Sequence, residues 1–382
     1  MVKFTHPAFK ATGFYTKASR LPVMLVLFTA SVLCSCTKDK DLPDTGIIPV
    51  ESGEVSGFYI LNQGGYGSNN ATLDYVDLAT GQYHTGYFES RNPDMAYGLG
   101  DTGNDIFISG GLLFIIMNGS GIVEIASADD ARHIAQVEVP NCRYGTVSDG
   151  YLYVTSYASE GTLYKISLAD YKVVATLKTG YEPEQLLCLD GFLYILNSGG
   201  LHYQEYDDTI TVVDLSGFSV DRTVDTGYRN LYKILYADGT IYVTSRGDYD
   251  EDPGAVFIFD PETDGITPVL DKPVSNWSYF NGTVYTQSTI YDDSWNETAM
   301  FGKITGGTFS ESGFADLSGI TLKSCYCLDI NPATGDFVIS DAGDYKAEGT
   351  VYYFNADGSL AWKHTAGVAP AKVCWTLKKD NI

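Results

Sequence analysis

The stretch Ser148-Asp149-Gly150-Tyr151-Leu152-Tyr153-Val154-Thr155 joins a tight turn to a short apolar strand with an aromatic residue second. An Asp-Gly pair between apolar runs is among the strongest short signals for a β-hairpin. The strand type of Leu152–Thr155 occurs seven times in the chain, at spacings of 39 to 55 residues. The other copies are Phe58-Tyr59-Ile60-Leu61, Leu113-Phe114-Ile115-Ile116, Leu193-Tyr194-Ile195-Leu196, Ile241-Tyr242-Val243-Thr244, Val284-Tyr285-Thr286-Gln287 and, less well, Phe337-Val338-Ile339-Ser340. Repeats of roughly forty residues indicate a propeller or a similar array.

Most units share one internal order of strands and turns. A second alternating strand follows the first, as in Thr209-Ile210-Thr211-Val212-Val213, and a turn such as Asp260-Pro261-Glu262-Thr263-Asp264-Gly265 leads to an outer strand. Each unit therefore has four strands, labelled a to d, and no helical periodicity stands out. The sequence predicts an all-β chain, a seven-bladed β-propeller of four-stranded antiparallel blades.

The two ends of the repeat region predict how the ring closes. The first unit begins at its strand b, Phe58, without a strand a before it. The C-terminal segment 367–377 resembles segment 180–187, which leads into strand a of the fourth unit. We expect the C-terminal strand to complete blade one, because this closure removes free sheet edges.

The N-terminal region has the features of an export signal. Residues 1–20 carry four basic residues and no acid, and the apolar stretch 21–33 is too short to span a bilayer. It ends in Leu33-Cys34-Ser35-Cys36, which resembles a bacterial lipobox with Cys36 as the lipidated residue; an ordinary soluble secreted protein is the alternative. The predicted organisation is a signal peptide over 1–35, a lipidated flexible tether over 36–54 and the propeller over 55–382.

Composition excludes several classes of function. The 382 residues carry 24 basic and 48 acidic side chains, for a formal charge of −24, so the chain repels phosphate backbones and anionic lipid surfaces. Hydrophobic residues make up 44% and charged residues 19%, which excludes a disordered chain. The 29 tyrosines and 40 glycines favour β-structure with many tight turns.

Loop lengths predict which face of the propeller binds a ligand. The a–b and c–d turns are short and emerge on one face, whereas the b–c and d–a connections emerge on the other. The b–c connections are long and unlike one another, for example the predicted loop over 288–298. Long irregular loops on a rigid scaffold are where function usually lies. We call this side of the molecule the loop face.

The loop face is rich in Tyr, Trp, Asp and Asn, which suit a large, flat, partly polar ligand or a protein surface. The candidate aromatic contacts are Tyr66, Tyr157, Tyr203, Tyr249, Tyr291, Trp295 and Tyr345. The candidate acceptors for ligand amides are Asp248, Asp292 and Asn230, and the candidate clamps for ligand acceptors are Arg143 and Arg229.

Signals for catalysis and for metal binding are weak. Of the five histidines only His202 reaches the loop face, so neither a zinc site of several histidines nor a strong Ser-His-Asp arrangement is predicted. Abundant carboxylates keep paired-acid glycoside chemistry open. The acidic run Asp248-Tyr249-Asp250-Glu251-Asp252 suits either Ca²⁺ or, more simply, a solvated acidic loop. We predict no catalytic residue, metal or cofactor, and we expect the mature non-lipid cysteines to be buried apolar side chains.

Two segments carry a resemblance to a known family. Leu99-Gly100-Asp101-Thr102-Gly103-Asn104-Asp105-Ile106 leads into Leu113–Ser120, and Tyr59–Leu73 contains Asn62-Gln63-Gly64-Gly65-Tyr66. With the lipobox and the Lys/Asp-rich run after Cys36, they resemble the YncE-like seven-bladed surface lipoproteins of Bacteroidota, and within them the vitamin B12-scavenging BtuG type. The resemblance implies a protein anchored in the outer membrane and exposed at the cell surface. It implies a corrinoid ligand, cobalamin or cobinamide, that is passed to a TonB-dependent transporter.

Two classes of function stay open at this point. The first is a non-enzymatic surface protein that binds a corrinoid or another scarce nutrient, such as a glycan or a siderophore. The second is a propeller enzyme of the lactonase or glycan-active type. A third possibility is a propeller that only scaffolds a protein complex. The scarcity of histidine on the loop face favours binding.

Overall fold

The computed structural model of the chain describes residues 55–291 and 297–377. They form seven four-stranded antiparallel sheets, and blade one takes its inner strand from the C-terminal end of the chain. The predicted seven-bladed β-propeller is confirmed, together with the closure of its first blade. The predicted signal peptide, tether and lipidated Cys36 lie outside the described residues.

The first three blades hold twelve strands, ordered within each blade from the inner strand outward. Blade one contains β28 (Pro370–Leu377), β1 (Val55–Asn62), β2 (Thr72–Asp77) and β3 (Gln82–His84). Blade two contains β4 (Gly103–Ser109), β5 (Leu112–Met117), β6 (Ile122–Ser127) and β7 (His133–Glu138). Blade three contains β8 (Cys142–Ser148), β9 (Tyr151–Ser156), β10 (Thr162–Ser167) and β11 (Lys172–Lys178).

The other four blades follow the same order. Blade four contains β12 (Pro183–Leu189), β13 (Phe192–Asn197), β14 (Thr209–Asp214) and β15 (Ser219–Asp225). Blade five contains β16 (Leu231–Ala237), β17 (Thr240–Ser245), β18 (Val256–Asp260) and β19 (Gly265–Leu270). Blade six contains β20 (Asn276–Phe280), β21 (Thr283–Tyr291), β22 (Glu297–Thr305) and β23 (Thr308–Glu311). Blade seven contains β24 (Cys325–Ile330), β25 (Phe337–Asp341), β26 (Glu348–Phe354) and β27 (Leu360–Val368).

The a–b hairpins form where the sequence predicts them. Asp149 and Gly150 both have positive φ, 49° and 78°, as a two-residue turn matched to the twist of its strands requires. Strand β9 after this turn is almost wholly buried, because both faces of a blade pack against neighbouring blades. The outer strand β11 is mostly exposed. The apolar core therefore lies between blades and leaves both ends of the ring to loops.

The C-terminal strand joins blade one to blade seven. Strand β28 pairs antiparallel with β1, with Val373 opposite Ile60. The Trp375 ring lies 4.8 Å from the ring of Phe58, and its Nε1 donates a hydrogen bond to Asp329 of blade seven at 2.8 Å. One strand thus supplies both a sheet partner and part of the core between the first and last blades.

Blade six differs from the prediction. Strands β21 and β22 are nine residues each, and their ladder continues through the pairs Ser288–Met300 and Tyr291–Glu297. The predicted loop over 288–298 is wrong at both ends, because Thr289 and Ile290 extend the alternating strand beyond the body of the blade. Helix α1 (Tyr87–Arg91), between blades one and two, was also not predicted. A 3₁₀ turn covers Ala158–Glu160.

The cysteines behave as small apolar side chains. Cys142, Cys325, Cys327 and Cys374 are buried thiols, which confirms the prediction for these four residues. Cys188 is only partly buried. Over 55–291 and 297–377, the structure contains no helix with the length and apolar character needed to cross a membrane.

Candidate ligand-binding face

Among residues 55–291 and 297–377, the well-exposed aromatic side chains all lie on the loop face. Within the described residues, the large aromatic side chains that are well exposed are Tyr66, Tyr97, Tyr181, Tyr203, Tyr249 and Tyr291. Each lies in a b–c or d–a connection or at the end of the strand that enters one. Tyr97 has 83% of its surface exposed. The exposed apolar residues of the outer strands, such as Val173 and Val174, are aliphatic instead.

Three tyrosines meet where the b–c loops of blades four and five approach each other. The ring of Tyr206 lies 6.4 Å from Tyr203 and 6.3 Å from Tyr249, in edge-on geometry in both cases. We call these three residues the tyrosine cluster. Tyr206 forms its buried base, and burial raises the pKa of its hydroxyl. That hydroxyl has no hydrogen-bond partner among the described residues, so the cluster offers one buried polar atom beneath two exposed rings.

Hydrogen bonds and a ring contact join the loop that carries Tyr203 to the preceding d–a connection. His202 Nδ1 lies 2.8 Å from Oε2 of Glu182, which is buried. The Tyr181 ring lies 4.6 Å from the His202 ring, and the Ser198 hydroxyl donates to the Glu182 carbonyl at 2.8 Å. His202, the one histidine on the loop face among the described residues, therefore positions the loop that carries Tyr203.

Acidic residues near Tyr249 bind their own backbone. Asp248 Oδ1 accepts the backbone N–H groups of Asp250 and Asp252 at 3.0 and 2.8 Å, and Arg229 lies 3.6 Å from Asp248 Oδ2. Burial acts to raise the pKa of Asp248, but these backbone hydrogen bonds outweigh it and hold the pKa below its ordinary value. Over 55–291 and 297–377, no group of three or more His, Cys, Asp or Glu side chains is arranged to hold a metal ion.

A fully buried ion pair lies near the loop-face ends of the inner strands, which surround the central channel of the propeller. Arg143 of blade three donates from Nε and Nη2 to the Glu184 carboxylate of blade four at 2.8 to 3.0 Å. Its Nη1 donates to Asn104 of blade two at 2.9 Å. The Tyr157 hydroxyl donates to Glu184 at 2.5 Å. Nη1 of Arg246, in blade five, lies 3.6 Å from Oε1 of Glu184. Four consecutive blades are thereby linked around one carboxylate.

Polar contacts continue around the rest of the channel. Lys372 of blade one pairs with Asp105 of blade two. Lys233 of blade five donates to Asn276 of blade six at 3.0 Å, and Asn276 donates to the Tyr326 carbonyl of blade seven at 3.3 Å. Each of the seven interfaces between neighbouring blades thus has a polar contact of this kind. We call the residues that make these contacts the polar belt: Gln63, Asn104, Asp105, Arg143, Tyr157, Glu184, Lys233, Arg246, Asn276, Tyr326 and Lys372.

The polar belt closes between the last and first blades. The Tyr326 hydroxyl donates to Gln63 Oε1 at 2.6 Å. Near this junction Asp329 is fully buried, and burial raises its pKa well above the ordinary value, against the opposing effect of the Trp375 hydrogen bond. Polar side-chain contacts thus reinforce the apolar cores that join neighbouring blades.

The structure separates the predicted site residues into three groups. Tyr203, Tyr249, Asp248 and Arg229 lie together beside the tyrosine cluster. Tyr66 and Tyr291 are exposed on blades one and six, and Tyr345 packs edge-on against Tyr326 at 5.1 Å. Asp292 and Trp295 lie outside the described residues.

The third group consists of the buried Arg143 and Asn230 and the partly buried Tyr157. Arg143 is fully buried against Glu184, and the Tyr157 ring lies 4.7 Å from its guanidinium. Asn230 is fully buried, its φ is 59°, and its Nδ2 donates to the Gly247 carbonyl at 3.2 Å. Both Arg143 and Asn230 therefore hold loops and strands in position at the edge of the loop face.

Sequence reasoning missed Tyr206, Glu184 and Arg246 as members of the site. One usable signal was present for Glu184, because it is the second residue of inner strand β12, as Arg143 is of β8. A charged residue near the start of an inner strand marks the polar belt. Nothing comparable distinguished Tyr206 from the other loop tyrosines.

Comparison with known proteins identifies the fold alone. No protein-family model matches the chain, and no curated protein matches it. A quinonprotein alcohol dehydrogenase-like protein from Bacteroides thetaiotaomicron has 14% identity and a TM-score of 0.60, covering 85% of this chain and 79% of its own. Hydrazine synthase of Kuenenia stuttgartiensis has 15% identity and a TM-score of 0.57, covering 70% and 88%. Apo AztD from Citrobacter koseri has 10% identity and a TM-score of 0.52, covering 86% and 100%.

Proposed function

We propose that this protein is a non-enzymatic binding propeller that captures a corrinoid on the loop face. The observation that carries the proposal is the confinement of the exposed tyrosines to that face. Tyrosine supplies large contact area and a polar hydroxyl at low entropic cost. The resemblance to B12-scavenging lipoproteins supplies the ligand class.

The chemistry of a corrinoid fits these residues. The ring is broad, its edges are apolar, and it carries many amide side chains around a cationic cobalt centre. Tyrosine rings would cover the apolar edges, while hydroxyl and carboxylate oxygens would accept amide hydrogens. The formal charge of −24 favours a cationic ligand over an anionic one.

The state of the charged groups supports binding over catalysis. Arg143, Glu184 and Tyr157 are engaged with one another, and His202 with Glu182. A general base or nucleophile has to reach the reacting atom of a bound substrate. Here Arg143 and Glu184 hold neighbouring blades together, and His202 holds the loop that carries Tyr203. The propeller-enzyme alternative and the glycan or siderophore ligands are outcomes that the following titration distinguishes.

Removing an exposed ring of the tyrosine cluster should weaken corrinoid binding. A well-packed aromatic anchor changed to alanine often costs about 2 kcal/mol of binding or more, roughly thirtyfold in affinity. We therefore expect Tyr249→Ala and Tyr203→Ala to lower the affinity for cobinamide and cyanocobalamin in calorimetric titrations. Lys172→Ala, on exposed strand β11 of blade three, is the control and should bind as the wild type does.

Three results would count against this proposal in different ways. If the wild type binds neither corrinoid at micromolar concentration, the ligand class is wrong. If it binds and both tyrosine variants bind equally well, the ligand is right and the site is wrong. If the recovered ligand is chemically altered after incubation, the protein is a propeller enzyme.

We propose further that the mature protein is anchored to the outer membrane through Cys36, faces outward and passes its ligand to a TonB-dependent transporter. The lipobox and the Lys/Asp-rich tether support this location. Protease added to intact cells should digest the protein. Protection until the outer membrane is permeabilised would contradict surface exposure.

A further inference from the structure

On the face opposite the loop face, blades two, three and four share one way of closing the interface with the preceding blade. In blades two, three and four, the residue after strand c donates its backbone N–H to the carbonyl of the second a–b turn residue. The bonds run from Ala128 to Gly111, from Leu168 to Gly150 and from Leu215 to Gly191, each at 3.0 Å. We call Ala128, Leu168 and Leu215 plug residues.

Each plug residue fills the gap toward the preceding blade. The Leu215 side chain of blade four belongs to the apolar core between blades three and four, which also contains Tyr153 of blade three. Leu168 packs in the same way in the core shared by blades two and three, and Ala128 in that of blades one and two. An apolar side chain at this register position therefore closes the interface on this face.

Blade six has glycine at that position. Thr305, the last residue of β22, pairs with Thr283, the first residue of β21, as Asp214 pairs with Phe192 in blade four. The next residue is Gly306, which corresponds in register to Leu215. Gly306 and Gly307 form a two-residue turn with φ of 55° and 76° and carry no side chain to plug the interface.

An open crevice of about 360 Å³ lies at this place between blades five and six. Its apolar walls come from Ile258 of blade five and Val284 and Ile304 of blade six. Two tyrosines, Tyr242 and Tyr279, also line it. The volume falls within the range of small-molecule sites in proteins.

The crevice also has an anionic rim. Asp238, in the exposed a–b turn of blade five, accepts a hydrogen bond from the Tyr279 hydroxyl at 2.5 Å, and that hydroxyl accepts the Gly282 N–H at 3.1 Å. The carboxylate is thus held at the opening by a fixed network. Aromatic faces and a carboxylate attract organic cations, while the aliphatic walls favour an apolar body.

We propose that the crevice between blades five and six is a second binding site, distinct from the loop face, for a small organic cation with an apolar body. The cationic head contacts Asp238 and the tyrosine rings. The aliphatic or aromatic body takes the volume that a plug residue fills in blades two to four. The strongly acidic charge of the chain favours the approach of a cation.

Benzyltrimethylammonium is a suitable probe, with phenylacetate as the anion of similar size. We expect saturable binding of the cation in the millimolar range by ligand-observed NMR, and markedly weaker binding of the anion. Asp238→Asn keeps the turn and the hydrogen bond from Tyr279 but removes the charge. This substitution should lower the affinity for benzyltrimethylammonium about fivefold. Asp149→Asn, in the equivalent turn facing the interface plugged by Leu215, should change nothing.

A second variant tests the cavity itself. Replacing Gly306–Gly307 by the blade-four sequence Leu215-Ser216-Gly217-Phe218 introduces a plug residue in a turn that already supports it. If this variant folds, it should melt higher than the wild type and lose benzyltrimethylammonium binding. The proposal is overturned if the wild type shows no saturable binding, if phenylacetate binds as tightly, or if Asp238→Asn and Asp149→Asn have equal effects.

Discussion

Deletion of residues from Ala371 onward should prevent the propeller from folding to a stable monomer. The deletion removes nearly all of β28, the inner strand of blade one, and exposes the inner edge of β1. It also removes Val373 and Trp375 from the core shared with blade seven. Burial of one large apolar side chain contributes about 1.5–3 kcal/mol, and a domain is stable by only about 5–15 kcal/mol. The loss of a whole strand should therefore remove most of the free energy of unfolding.

The measurement is thermal unfolding by circular dichroism together with size-exclusion chromatography. We expect the truncated protein to aggregate or to melt far below the wild type. A variant that ends at Leu377 keeps all of β28 and is the matched control. A monomeric truncated protein with an unchanged melting temperature would show that blade one does not need its C-terminal strand.

Arg143→Met should lower the free energy of unfolding by about 3–5 kcal/mol. Arg143 and Glu184 are both fully buried, so removing the guanidinium leaves a carboxylate without its main counter-ion in the channel. The Asn104 side chain loses a partner as well. Breaking a buried pair is costly because the remaining charge is still desolvated. The loss should appear in urea unfolding as a lower midpoint with an unchanged slope.

Two controls separate the buried charge from a general effect of substitution. Arg132→Met removes an exposed pair with Asp130 and should change stability by less than about 1 kcal/mol. Arg143→Met combined with Glu184→Met removes both charges and should recover part of the loss. If the double variant is no more stable than the single one, packing and the hydrogen bonds to Asn104 and Tyr157 account for the effect instead.

The propeller could be predicted because its signals are local and repeated. The Asp149–Gly150 turn needs positive φ at both positions, and the residue pair that tolerates this is visible in the sequence. The same turn-and-strand order recurs along the chain, so one uncertain unit is supported by the others. Closure was predictable for a related reason, since the first unit lacks a strand that the C-terminal segment resembles.

The extent of blade six was not predictable from that repeat. In this blade strand β21 continues as far as Tyr291, and strand β22 begins already at Glu297. At the corresponding positions the other blades have loops. A comparison between repeats predicts the average strand length. It does not show where cross-strand pairs such as Thr289–Ala299 add further stability to one hairpin.

For the candidate site, the sequence predicted the types of residue but not how they are arranged in space. The sequence indicated that tyrosines and aspartates gather in the b–c and d–a connections, and the exposed tyrosines do lie there. It did not indicate that Tyr203, Tyr206 and Tyr249 meet, because Tyr249 belongs to a different blade from the other two. Their distance depends on how two loops pack after the ring has closed.

The sequence by itself determined the class of fold, the number of blades, the closing strand and the face that carries the long loops. Each of these follows from interactions between residues close in the chain, or from a repeat that can be compared with itself. Only the tertiary structure decided that Arg143 is buried against Glu184, and that Gly306 leaves open an interface which Leu215 fills elsewhere. The physical reason is that both features join neighbouring blades. Partners about forty residues apart are brought together by the ring and by no local preference of the chain.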